Sequence, residues 1–109
     1  MIKVKFRFDD KAFTYLSCEG HSGSADIGQD LICAGASSIM FGLLNAIDMV
    51  DEQVETNIYD NKIEVINYSD NEKINNYLEL AILQLKTIEE SYSQYIKIDE
   101  RREQRWSSF

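Results

Sequence analysis

Two residue types in this chain are suited to nucleophilic chemistry, and they lie twelve positions apart as His21 and Cys33. A thiolate attacks carbonyl carbon readily. An imidazole that titrates near neutrality can take the thiol proton and later return it to a leaving amine. His21 is the single histidine of the sequence, and Cys18 is the only cysteine besides Cys33. All five glycines, Gly20, Gly23, Gly28, Gly35 and Gly42, fall in the stretch that holds this pair, and proline is absent.

The run Leu31 to Val50 is apolar nearly all round, which predicts a central, buried helix starting near Asp30. Asp30 would cap that helix, its carboxylate accepting unpaired N–H groups of the first turn. Cys33 then falls in the first turn, where those N–H groups and the helix dipole stabilise a thiolate and supply oxyanion donors. Ser37 lies one turn on, on the same face as Cys33. Asp30 has a second possible role, orienting His21. Each residue also has a plain structural reading. A cysteine in an apolar helix usually packs, a loop histidine usually faces solvent, and Ser37 can bond a carbonyl of its own helix. Cys18 ends a predicted strand with no helix terminus beside it and is read as structural. A metal site from Cys18, His21, Asp26 and Cys33 matches no common zinc spacing, and no phosphate-binding loop with its lysine is present. No metal or cofactor is expected.

The elements that must position these residues follow from periodicity. Ile2, Val4, Phe6 and Phe8 alternate with Lys3, Lys5 and Arg7, the pattern of a strand with one buried face. Phe13 to Cys18 reads as its hairpin partner and Glu19 to Gln29 as a glycine-rich loop. After the central helix, Val54–Tyr59 and Lys62–Tyr68 form a second hairpin across Asp60-Asn61. Ser69 and Glu72 fit a capping box for a second helix. That helix carries Ile74, Tyr77, Leu78, Ala81, Ile82, Leu85, Ile88 and Tyr92 on one face. Tyr95 to Ile98 is a possible short closing strand. The expected fold is α+β, in ββαββα order: an antiparallel sheet from two hairpins with two main helices on one face. One domain is expected over residues 1–98, with a charged tail over 99–109.

The chain has 109 residues and a formal net charge of -8. That balance argues against binding a phosphate backbone and suits a basic protein or peptide partner. No apolar run is read as long enough to cross a bilayer, and the alternating amino terminus does not resemble a signal peptide. A cytoplasmic location with reduced thiols is expected.

Gly20-His21-Ser22-Gly23, followed by Gly28-Gln29-Asp30-Leu31-Ile32-Cys33-Ala34-Gly35-Ala36-Ser37, resembles the signature of the ribosomal-processing cysteine protease family of bacteria. The resemblance extends to length and element order. It implies a cysteine endopeptidase that removes a short amino-terminal extension from a basic large-subunit ribosomal protein. His21 and Cys33 would be the catalytic pair, supported by Asp30 and Ser37. A mobile loop including Ser22, Gly23 and Gly28 would cover the peptide, apolar and aromatic before the cut and basic after it. The resemblance also implies a homodimer. Ser22 stands where a small apolar residue is expected, Gly35 where alanine is expected, and Asp26-Ile27 where a glutamate and an aromatic are expected; His21 and Cys33 are intact. The competing reading is a non-catalytic ribosome-associated adaptor that binds the same ribosomal protein. A small RNA-binding module is disfavoured by the acidic balance.

Overall fold

Alternation of apolar and charged residues makes strand β1 (Ile2–Phe8), with Ile2, Val4 and Phe6 buried and Lys3 and Lys5 exposed. The computed structural model describes residues 1–20 and 27–103, without the side chains of Ile27 and Gln29. β2 (Phe13–Glu19) folds back on β1, with Phe6 opposite Leu16 and Val4 opposite Cys18. Asp9 Oδ1 closes the turn between them, accepting from the backbone N–H groups of Lys11 at 2.8 Å and Ala12 at 3.0 Å. Helix α1 (Ile27–Asp48) follows, then the hairpin β3 (Val54–Tyr59) and β4 (Lys62–Asn67), helix α2 (Glu72–Tyr92) and β5 (Ile96–Arg102).

The strands form one sheet in the order β3-β4-β2-β1-β5. The two hairpins and the β2–β4 pairing are antiparallel, as expected, but β5 runs parallel to β1 and makes the sheet mixed. The order is therefore ββαββαβ. The reason is the crossover: α2 carries the chain back along the sheet, so β5 must run in the direction of β4, which is also that of β1. The closing strand, expected to end at Ile98, continues to Arg102, so residues 99–102 are strand and not tail. Its far half is all charge and looks like a solvated tail in sequence. Backbone pairing with β1 as far as Phe8 opposite Arg102 holds it, aided by an Arg102–Asp10 ion pair and by Lys86–Glu100 at 3.8 Å.

Both helices pack on one face of the sheet. Ile32, Ala36, Met40, Leu43, Leu44 and Ile47 of α1 meet Ile74, Leu78, Ala81, Ile82 and Leu85 of α2 over Leu16, Val65 and Ile96. This apolar burial is the main driving force for the fold. It accounts for one stripe of α1 only: Leu31 and Phe41 are exposed, so the helix is not buried all round as expected. Asp30–Asp48 is in fact long and apolar enough to cross a membrane, at 19 residues and mean hydropathy 1.6, contrary to expectation; here its apolar stripe faces the sheet and α2. The capping box is not formed. Asn71 caps α2, its Oδ1 accepting from Lys73 N at 2.7 Å, while Ser69 Oγ accepts from Asn71 N at 2.9 Å. The outer sheet face is polar. There Tyr15 donates to Glu64 Oε2 at 2.6 Å, and the Arg7 guanidinium lies 4.7 Å from the Tyr15 ring centre. The Tyr15 hydrogen bond, chief among its neighbours, holds the Glu64 carboxyl below the usual range.

Candidate active site

Strand β2 delivers the chain to the site through Gly20, which has φ +117°. A Cβ there would stand 2.5 Å from the Met1 carbonyl oxygen and 3.1 Å from Ile2 Cα, so only glycine fits. Gly20 N donates to Asn61 O at 3.0 Å, which ties the end of β2 to the β3–β4 turn. The next residue is His21. His21, Ser22, Gly23 and Asp26 lie outside the described residues, and so does the expected mobility of their loop.

Helix α1 begins at Ile27, three residues before Asp30. Asp30 is therefore not the N-cap but an exposed residue of the first turn, where its charge still complements the helix dipole. Cys33 moves correspondingly from the first turn to the second, behind the first four N–H groups that lack helical partners. Gly28 is likewise not a loop residue. It is the second residue of α1, and a Cβ there would come within 2.5 Å of Tyr95 Oη and 2.7 Å of Cζ. Its role is to let the start of α1 lie on the Tyr95 ring.

A cleft of about 210 Å³ separates α1 from the sheet end. Cys33 and Ser37 line one wall, Cys18 and Gly20 another, and the β3–β4 turn closes the third with Ile58, Tyr59 and Lys62. The structure thus gathers Cys33, Ser37 and the residue preceding His21, and leaves Asp30 off the cleft wall. Phe41, Ile58 and Tyr59 were not anticipated as site residues. They are large, apolar and about half exposed. Phe41 follows Cys33 and Ser37 at helical spacing, a signal present in the sequence; the turn residues carry none. Burial, and secondarily the charge of nearby Cys33, pushes the Cys18 thiol up to about 11, so Cys18 stays protonated at neutral pH. The arrangement presents a half-buried thiol in a cleft that Phe41, Ile58 and Tyr59 also line.

The family model for cysteine protease Prp matches residues 1–97. The chain belongs to the cysteine protease Prp family. It is 31% identical over 105 residues to the ribosomal processing cysteine protease Prp of Staphylococcus aureus, covering 91% of this chain and 98% of that one. A crystal structure of the essential ribosomal processing protease Prp from S. aureus with a substrate peptide superposes with a TM-score of 0.84. It is 28% identical and covers 92% of this chain and 99% of that one. A second S. aureus Prp structure, with a covalently linked product peptide, gives a TM-score of 0.82 at 30% identity, with the same coverage. The mixed five-stranded sheet with two helices is thus the Prp fold.

Proposed function

We propose that this Prp-family chain is a cysteine endopeptidase that removes a short amino-terminal extension from a basic large-subunit ribosomal protein, with Cys33 as nucleophile and His21 as general base and acid. The observation that carries this reading is the cleft itself. Cys33 lines its wall, the chain enters it at the residue before His21, and Phe41, Ile58 and Tyr59 give it an apolar rim.

His21 takes the thiol proton as Cys33 Sγ bonds to the scissile carbonyl carbon, and the carbonyl oxygen becomes an oxyanion. Collapse of this intermediate breaks the C–N bond, and His21 protonates the departing amine. Water then attacks the thioester, with His21 again the base, and frees Cys33. The covalently linked product peptide of the S. aureus relative supports a covalent route. Ser37, one turn beyond Cys33 in the cleft wall, would contact the peptide or the thiol, and Asp30 would support the helix start. The loop through Ser22 and Gly23 would close over the substrate. The net charge of -8 suits a basic segment after the cut. A homodimer in the cytoplasm belongs to the same proposal.

The test is incubation with the extended ribosomal protein from the same genome, followed by intact mass. Loss of the extension with the parent chain, and none with Cys33→Ala, is expected. Tight binding of the precursor without cleavage would instead favour the adaptor.

A further inference from the structure

The catalytic scheme leaves one nucleophilic group of the cleft unused. Cys18 lies on the inner face of β2, between Val4 and Ile63 of the neighbouring strands. It lines the same 210 Å³ cleft as Cys33 of α1. The two are thiols, not bonded to one another, and both are half-buried. They are close enough that negative charge on Cys33 makes Cys18 harder to ionise, adding to the larger effect of burial. Two thiols carried by different elements thus line one cleft, one of them the proposed nucleophile.

We propose that Cys18 is the resolving thiol of a reversible oxidative lock, in which hydrogen peroxide oxidises Cys33 and Cys18 then joins it in a disulfide. This rests on the reading of Cys33 as the reactive thiolate. In the first step Cys33 Sγ attacks one peroxide oxygen. An S–O bond forms, the O–O bond breaks, and hydroxide leaves and is protonated to water, so sulfur is oxidised by two electrons and peroxide reduced by two. In the second step Cys18 Sγ bonds to Cys33 Sγ, the S–O bond breaks, and the hydroxyl leaves as water with the Cys18 proton. A small dithiol reverses the bond by exchange.

The Cys18 proton is held firmly, so Cys18 does not compete with Cys33 for peptide or peroxide. It acts only once the sulfenic acid stands beside it. Closing the disulfide stops Cys33 from climbing to the irreversible sulfinic and sulfonic acids. It requires Cβ atoms about 4 Å apart, a demand on the α1–β2 spacing that the experiment checks directly.

The purified chain is treated with excess hydrogen peroxide, alkylated without reductant and weighed intact. A mass loss of about 2 Da with neither thiol alkylated, and a Cys18–Cys33 cross-linked peptide after digestion, are expected. Cleavage activity should vanish and return with dithiothreitol. Cys18→Ala, compared with its own starting activity, should instead gain about 32–48 Da on Cys33 and fail to recover. No cross-link in the parent chain, or recovery of Cys18→Ala as complete as the parent's, overturns the proposal. The cross-link is read by mass alone. Its formation in a chain that cleaves no precursor would support the thiol pairing while refuting the protease reading.

Discussion

Gly20→Ala places a methyl group where the backbone leaves no room, and it does so one residue before His21. The position has φ +117°, a region that costs an L-residue about 1–3 kcal/mol. The new Cβ would also sit 2.5 Å from the Met1 carbonyl oxygen, a backbone atom that cannot swing aside. Relief requires the end of β2 to move from the start of β1, which weakens the 3.0 Å bond from Gly20 N to Asn61 O, worth about 0.5–1.5 kcal/mol net. Together these predict a loss of about 2–4 kcal/mol, or roughly 10–20 °C in Tm for a domain of this size. Typical domain stabilities of about 5–15 kcal/mol leave most molecules folded at 25 °C. Urea unfolding and precursor cleavage measured on the same sample separate the two effects. Activity should fall by much more than the unfolded fraction, because the displaced segment is the one that carries His21. A midpoint within about 0.5 kcal/mol of the parent, with unchanged kcat/KM, would refute both the strain and its link to the site.

Gly35→Ala should do the opposite. Its Cβ would meet only Ile88 Cδ1 at 3.7 Å, an ordinary contact, so the helix should gain about 0.5–1 kcal/mol in urea unfolding. Cys33→Ala should leave the urea midpoint nearly unchanged and bring cleavage to background, and Cys33→Ser should be almost as inactive, because a hydroxyl is far less acidic than a thiol. Asp30→Ala should cost only about 0.3–1 kcal/mol in the same unfolding assay, the value of a first-turn charge, since Asp30 is not the cap. The alkaline limb of stability should carry the signature of Cys18. Its thiol ionises at about 11 when folded against an ordinary 9.0, so the unfolded chain loses this proton first as pH rises. Stability from this group is intact below pH 9 and lost on the way to 11, by about 2–3 kcal/mol. Urea midpoints across that range should fall less steeply for Cys18→Ala.

What the sequence determined by itself was local. The alternation through Ile2, Val4 and Phe6, the Asp60-Asn61 turn and the stripe Ile74, Leu78, Ala81 and Leu85 each express a periodicity of neighbouring residues, and each appears in the structure as read. The spacing around Cys33 was equally local and pointed to the family. The start of α1 was not legible, because Gly28 looks like loop punctuation until the Tyr95 ring is seen against it. Nor was the charged half of β5, which lacks a buried face and is held by backbone bonds to β1 at the other end of the chain. The cleft is the clearest case. Cys18, Cys33 and the turn around Tyr59 come from three separate elements, and only packing of α1 over the sheet end brings them together. A strand or helix announces itself through repeats of two or about four residues, whereas contacts between distant elements depend on which faces meet once the core closes, and that has no local mark.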